Sequence, residues 1–188
     1  MRNGYLVAGV MMLTTGWAQA EPVTGKAAKA LLFSPKGTSV EVIKQPFLTD
    51  ADLKVIAEVA GQQKYYAAVA MSPDEGLLVE ATVAGANFHD TDSASAFALA
   101  GCEAKRKGDT PCVVVAIVRP KGWEPQPLQL SVDATDAARK DYAKAPAPKA
   151  MATSASTGQW AIGSGSEAAV AACAAKSAAS DCITVLAE

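Results

Sequence analysis

Ser95-Ala96-Phe97-Ala98-Leu99-Ala100-Gly101-Cys102-Glu103-Ala104-Lys105 has an echo, Ser166-Glu167-Ala168-Ala169-Val170-Ala171-Ala172-Cys173-Ala174-Ala175-Lys176. Laid over one another without a gap, both read S-x-x-A-[L/V]-A-x-C-x-A-K. A second cysteine then opens a β-branched run, Cys112-Val113-Val114-Val115 in one copy and Cys182-Ile183-Thr184-Val185 in the other. An alanine-rich run predicts a helix and a β-branched run predicts a strand. The chain is therefore expected to build the same helix and strand twice, each pair carrying two cysteines.

Half of the 188 residues are apolar, but only 6% are aromatic. The core must be made from small side chains, with helices lying close against sheet. The net charge is −2 and no basic run exists, so nucleic acid is not an expected partner.

Residues 1–20 read as an export signal. Arg2 supplies the positive start, Leu6 to Leu13 the apolar stretch, and Ala18-Gln19-Ala20 the small-x-small cleavage site. The apolar stretch is too short for the roughly twenty residues of a membrane span, so none is expected after cleavage. The expected location is periplasmic or secreted, where cysteines pair. The repeat makes Cys102–Cys112 and Cys173–Cys182 equivalent, so these two pairings are expected. C-x-x-C spacing is absent and there is one histidine, so neither a metal nor another cofactor is expected.

Read in order, the mature chain suggests four strand–turn–strand–helix units of about forty residues. A leader occupies 21–29, a first pair of units 30–120, and a second pair with a closing strand 121–188. The hairpins are expected at 30–44, 65–83, 112–132 and 150–162. Helices are expected from Thr49, Thr91, Thr135 and Ser166. This predicts an α+β fold with a largely antiparallel sheet and helices on one face. Two small domains meeting near Lys121 are the alternative division.

The pattern resembles a family of small secreted bacterial domains of uncharacterised role. Its marks are a hydrophobic strand, S-x-x-x-G (Ser72 to Gly76 and Ser154 to Gly158), a Trp-containing strand at Trp160, an Ala-rich helix ending in Cys, and Cys-Val-Val. The likeness covers Lys149 to Glu188 best and Tyr65 to Val118 well. It implies a disulfide-paired, exported fold and carries no catalytic residues. Chains of this look are sometimes labelled 5-aminolevulinate synthase. That activity needs a pyridoxal-phosphate fold of about twice this length, with a Schiff-base lysine.

Few residues could carry chemistry. His89 lies beside Asp90 and Asp92, which read as helix caps rather than as an acid–base pair. Gly163-Ser164-Gly165-Ser166 precedes a helix but lacks the lysine of a phosphate loop. Asp74 and Glu75 read as solvated turn residues. Trp160 reads as packing. Trp123, between a Pro-Lys-Gly turn and Glu124-Pro125, is the candidate partner contact. The expected function is non-enzymatic binding of a protein partner in the cell envelope, in the manner of an immunity or inhibitor protein. An envelope-polymer hydrolase with acids from distant loops, or a small-ligand binder, are the alternatives.

Overall fold

The computed structural model describes residues 21–188; the export segment at 1–20 lies outside the described residues. Local chemistry sets the helix starts. Thr49 caps the helix Asp50–Gly61 (α2) by a reciprocal box: Asp52 N–H donates to Thr49 Oγ1 at 3.2 Å, and Thr49 N–H donates to Asp52 Oδ2 at 2.9 Å. Asp90 caps Thr91–Glu103 (α3), taking Ser93 N–H at 2.7 Å. Of the candidates at this helix start, Asp90 is the one that caps, because its carboxylate reaches the free N–H groups of the first turn. Ser131 caps Val132–Lys140 (α4), which starts three residues before the expected Thr135. Gly165 precedes Ser166–Ser177 (α5) without any side-chain cap.

Among the described residues, seven strands form two antiparallel sheets. The larger holds Thr38–Val42 (β1), Val113–Pro120 (β4), Ala67–Met71 (β2) and Val83–Gly85 (β3), side by side in that order. The smaller holds Trp160–Gly163 (β6), Ala150–Ser154 (β5) and Cys182–Ala187 (β7). Both contain one pattern: a central strand paired on one side with its hairpin partner and on the other with the strand after the helix. The register of the central strand shifts between Val69 and Ala70, and again between Met151 and Ala152. These are corresponding steps when Ala68 is set against Ala150.

The α+β class and the antiparallel pairing are as the sequence suggests. The helix placement is not one-sided. Ala68 and Ala70 of β2 pack on Ala94, Ala98 and Cys102 of α3, whereas Ala67, Val69 and Met71 pack on Ile56 and Ala60 of α2. Alternate side chains of a strand point to opposite faces, so the larger sheet lies between α2 and α3. Likewise Ala150 and Ala152 face Ala169 and Cys173 of α5, whereas Met151 faces Leu128, Leu130 and α4.

Two of the four expected hairpins do not form. Ala30 and Leu31 belong to a helix, Gly25–Leu31 (α1), capped by Thr24. This helix takes up the expected leader and packs on the smaller sheet through Ala28. Val23 pairs with Leu186, so the start and the end of the described chain lie together. Leu128 and Leu130 are buried as an alternating strand requires, but they pack on Met151 and Leu186 without forming a strand or pairing with one. In both places the hydrophobic pattern reports burial correctly and pairing wrongly, because alternation does not say whether a neighbour strand exists.

Both expected disulfides are present. Cys102–Cys112 ties the last turn of α3 to the start of β4, and Cys173–Cys182 ties α5 to β7, with Cα separations of 6.2 and 6.1 Å. They fit an oxidising compartment. No helix among the described residues is long and apolar enough to cross a membrane.

Candidate functional site

The segment Leu77 to Val83 reads as a strand, and here the structure departs from the sequence with the largest consequence. Only Val83 reaches the sheet, in β3. The preceding residues close on themselves: Thr82 Oγ1 donates to Leu77 C=O at 2.6 Å, and Thr82 N–H to Val79 C=O at 3.0 Å. Closing the strap points Ala81 into the core and leaves Leu78 89% exposed.

Between this strap and α2 runs a groove of about 840 Å³. Val55, Ile56 and Val59 of α2 form one wall, Leu77 to Thr82 the other, and Val69 of β2 the floor. Val55 and Val59 are four residues apart on one helix face, and both keep over two-fifths of their surface open to solvent. Val79 is exposed too. Apolar side chains gathered round one concavity are the usual mark of a binding surface.

Glu75, Glu80, Lys105 and Lys107 stand at the rim. Glu75 accepts the backbone N–H groups of Lys107 at 2.9 Å and Gly108 at 3.4 Å, and the first of these bonds holds its carboxyl below the usual range. Asp74 accepts Thr110 N–H and Oγ1–H, both at 2.8 Å, and is lowered likewise. These acids are therefore clamps and not free solvated charges. They pin the turn after β2 to the loop between α3 and β4. The smaller sheet uses the same device from the other side. Asp181, in the loop after α5, accepts Ser154 Oγ–H and Ser156 N–H, both at 2.7 Å.

His89 cannot serve as a free base. It is 6% exposed, where the larger sheet's last loop meets the smaller sheet's elements. Ser131 N–H donates to its Nδ1 at 3.2 Å, so Nε2 carries the proton and donates to Gln159 C=O at 3.2 Å. Burial is the main reason its pKa is lowered. Asn87 and Asp133 bond reciprocally across the same junction, at 3.0 and 3.2 Å, and Lys64 pairs with Asp133 at 2.7 Å.

A smaller cleft of about 280 Å³ holds His89, Asp90 and Asp181, together with Glu21. Asp90 is engaged by Ser93, and Asp181 by Ser154 and Ser156. Neither is an unencumbered acid of the kind a glycosidase pair needs. Among the described residues, no cluster of three or more His, Cys, Asp or Glu is placed to hold a metal ion.

Trp123 lies outside the groove. It is half-buried, its indole N–H donates to Gln129 Oε1 at 3.1 Å, and the Arg119 guanidinium carbon sits 5.0 Å from its ring centre. Trp160 packs against the core of the smaller sheet, with Lys176 Nζ 4.7 Å from its ring. The sequence signal for the groove was Leu77-Leu78-Val79, three successive apolar residues beside a proline–glycine turn, which read as a strand.

Fold and site together define, over the described residues, a two-sheet, disulfide-stapled α+β protein with a large apolar groove. No protein-family model, curated protein or solved structure matches the chain.

Proposed function

We propose that the chain is an exported, non-enzymatic domain of the cell envelope, periplasmic or secreted, that binds another protein through the groove between α2 and the Leu77–Thr82 strap. The observation that carries this reading is the exposure of Val55, Val59, Leu78 and Val79 around one concavity. Two disulfides and the export-like start support the location. The engagement of His89, Asp90 and Asp181 in structural hydrogen bonds favours binding over hydrolysis.

The two β-hairpin–helix–strand segments support descent from one duplicated unit. They share strand order, disulfide position and the step at which the register shifts. Two copies, rather than four, fit the elements present. The likeness to small secreted, cysteine-paired domains agrees with such a unit.

The test is affinity capture from envelope extract with the wild type and with Val59→Gln/Leu78→Ser. Both positions are exposed, so the variant keeps its fold. A protein retained by the wild type and lost by the variant is the expected result. Identical capture profiles would remove the groove from the account. Trp123→Ala serves as the comparison, because the sequence singles out that residue as a contact.

A further inference from the structure

The first turn of α4 is capped from the other half of the molecule. Three successive backbone N–H groups donate across the junction: Ser131 to His89 Nδ1 at 3.2 Å, Val132 to Tyr65 C=O at 3.3 Å, and Asp133 to Asn87 Oδ1 at 3.2 Å. Such groups have no acceptor within their own helix. Behind them, Ala134, Ala137 and Ala138 of α4 pack with Met151 and Leu186 of the smaller sheet. Asn87 and His89, by contrast, lead from β3 of the larger sheet into α3. His89 also donates from Nε2 to Gln159 C=O, just before β6. The buried apolar clusters each belong to one sheet or the other, and these hydrogen bonds run between them.

Only a neutral imidazole suits this place. Its Nδ1 accepts from Ser131, and a proton there would set two N–H groups against each other. The added charge would also face the positive end of the α4 dipole. Burial outweighs the attraction of Asp90 and lowers the His89 pKa. Glu21, Asp90 and Asp181 line the cleft that reaches His89, with no cation among its described residues. Asp133 faces Asn87 and Lys64 across the junction.

We infer that His89 is an acid-sensitive latch: its protonation frees the start of α4 and opens the junction, while each sheet keeps its own core and disulfide. The opened junction accepts the proton that the closed one resists, with the ordinary imidazole pKa of about 6.5. The opened population therefore rises by up to about thirtyfold from about pH 7.5 to about pH 5.

The test is amide hydrogen exchange of the full mature chain, followed by NMR at those two pH values. Each rate is divided by that of an unstructured peptide at the same pH. His89 is the chain's one histidine, so its ring signals report its protonation in the same samples. Ser131, Val132 and Asp133 should lose about three- to thirtyfold of their protection together, whereas the central strands β2 and β5 keep theirs. In His89→Gln the side chain can still accept from Ser131 and donate to Gln159, but takes no proton, so the loss should vanish. Unchanged protection of the three amides overturns the latch. An equal loss in β2 and β5 means that the whole chain opens together, and overturns it too. So does an acid response that His89→Gln retains, which would belong to the neighbouring carboxylates. If that variant does not fold, the wild-type comparison of α4 with the central strands decides alone.

Discussion

Removing the Cys102–Cys112 bridge should destabilise the protein by an amount the chain length sets. The bridge closes a loop of sequence separation 10, and its counterpart Cys173–Cys182 one of 9. The loop-closure entropy of the unfolded chain then gives about 2.7 and about 2.6 kcal/mol at room temperature. Cys102 and Cys173 are fully buried, so Cys→Ala also removes a packed sulfur and both costs should be at least this large. The assay is urea unfolding of Cys102→Ala/Cys112→Ala and of Cys173→Ala/Cys182→Ala, followed by tryptophan fluorescence. Trp123 follows β4 of the larger sheet and Trp160 opens β6 of the smaller, so the emission samples both. With a slope of about 2–3 kcal/mol per M, each midpoint should fall by about 1 M. Losses below about 0.5 kcal/mol, or free thiols in the unreduced native protein, would refute the stapled arrangement.

Three further outcomes follow from the same geometry. The depressed pKa of His89 means that the folded chain resists a proton the unfolded chain accepts near 6.5. Its contribution is therefore complete above 6.5 and declines as pH falls, at up to about 1.4 kcal/mol per pH unit. His89→Gln should flatten stability between pH 6.5 and 5, and an unchanged slope would contradict the buried neutral imidazole. Ala178 ends α5 in the left-handed region at φ 51°, so Ala178→Gly should raise the melting temperature through a gain of about 1 kcal/mol. Gly163→Ala should cost about 2 kcal/mol in urea unfolding, because its Cβ would lie 2.3 Å from the backbone nitrogen of Ala169.

Local signals in the sequence carried much of the fold. Thr49 with Asp52 announced α2 to the residue, and the alanine-rich runs at 65–71 and 150–154 marked β2 and β5 as strands, although not that both of their faces would be covered. The cysteine spacing led to both bridges. Small residues at the helix–sheet contacts were also foreseen, and Gly85 and Gly163 show why. At each position a methyl group would strike the backbone of the helix packed over it. What stayed illegible depends on distant partners. Leu31 and Leu128 satisfy a strand pattern, but neither forms a strand or pairs with one. Asp74 and Glu75 look solvated until the loop at 107–110 folds onto them. The groove was hidden for the same reason, since Leu78 becomes a surface feature only when Thr82 turns back on Leu77.

The central claim is that partners meet the groove rather than the Trp123 loop. A photo-crosslinking side chain placed at position 78, and separately at position 123, can be irradiated in intact producing cells. The account predicts a discrete adduct from position 78 that Val59→Gln abolishes, and no such adduct from position 123. An adduct at 123 alone, or one at 78 that survives Val59→Gln, would contradict it.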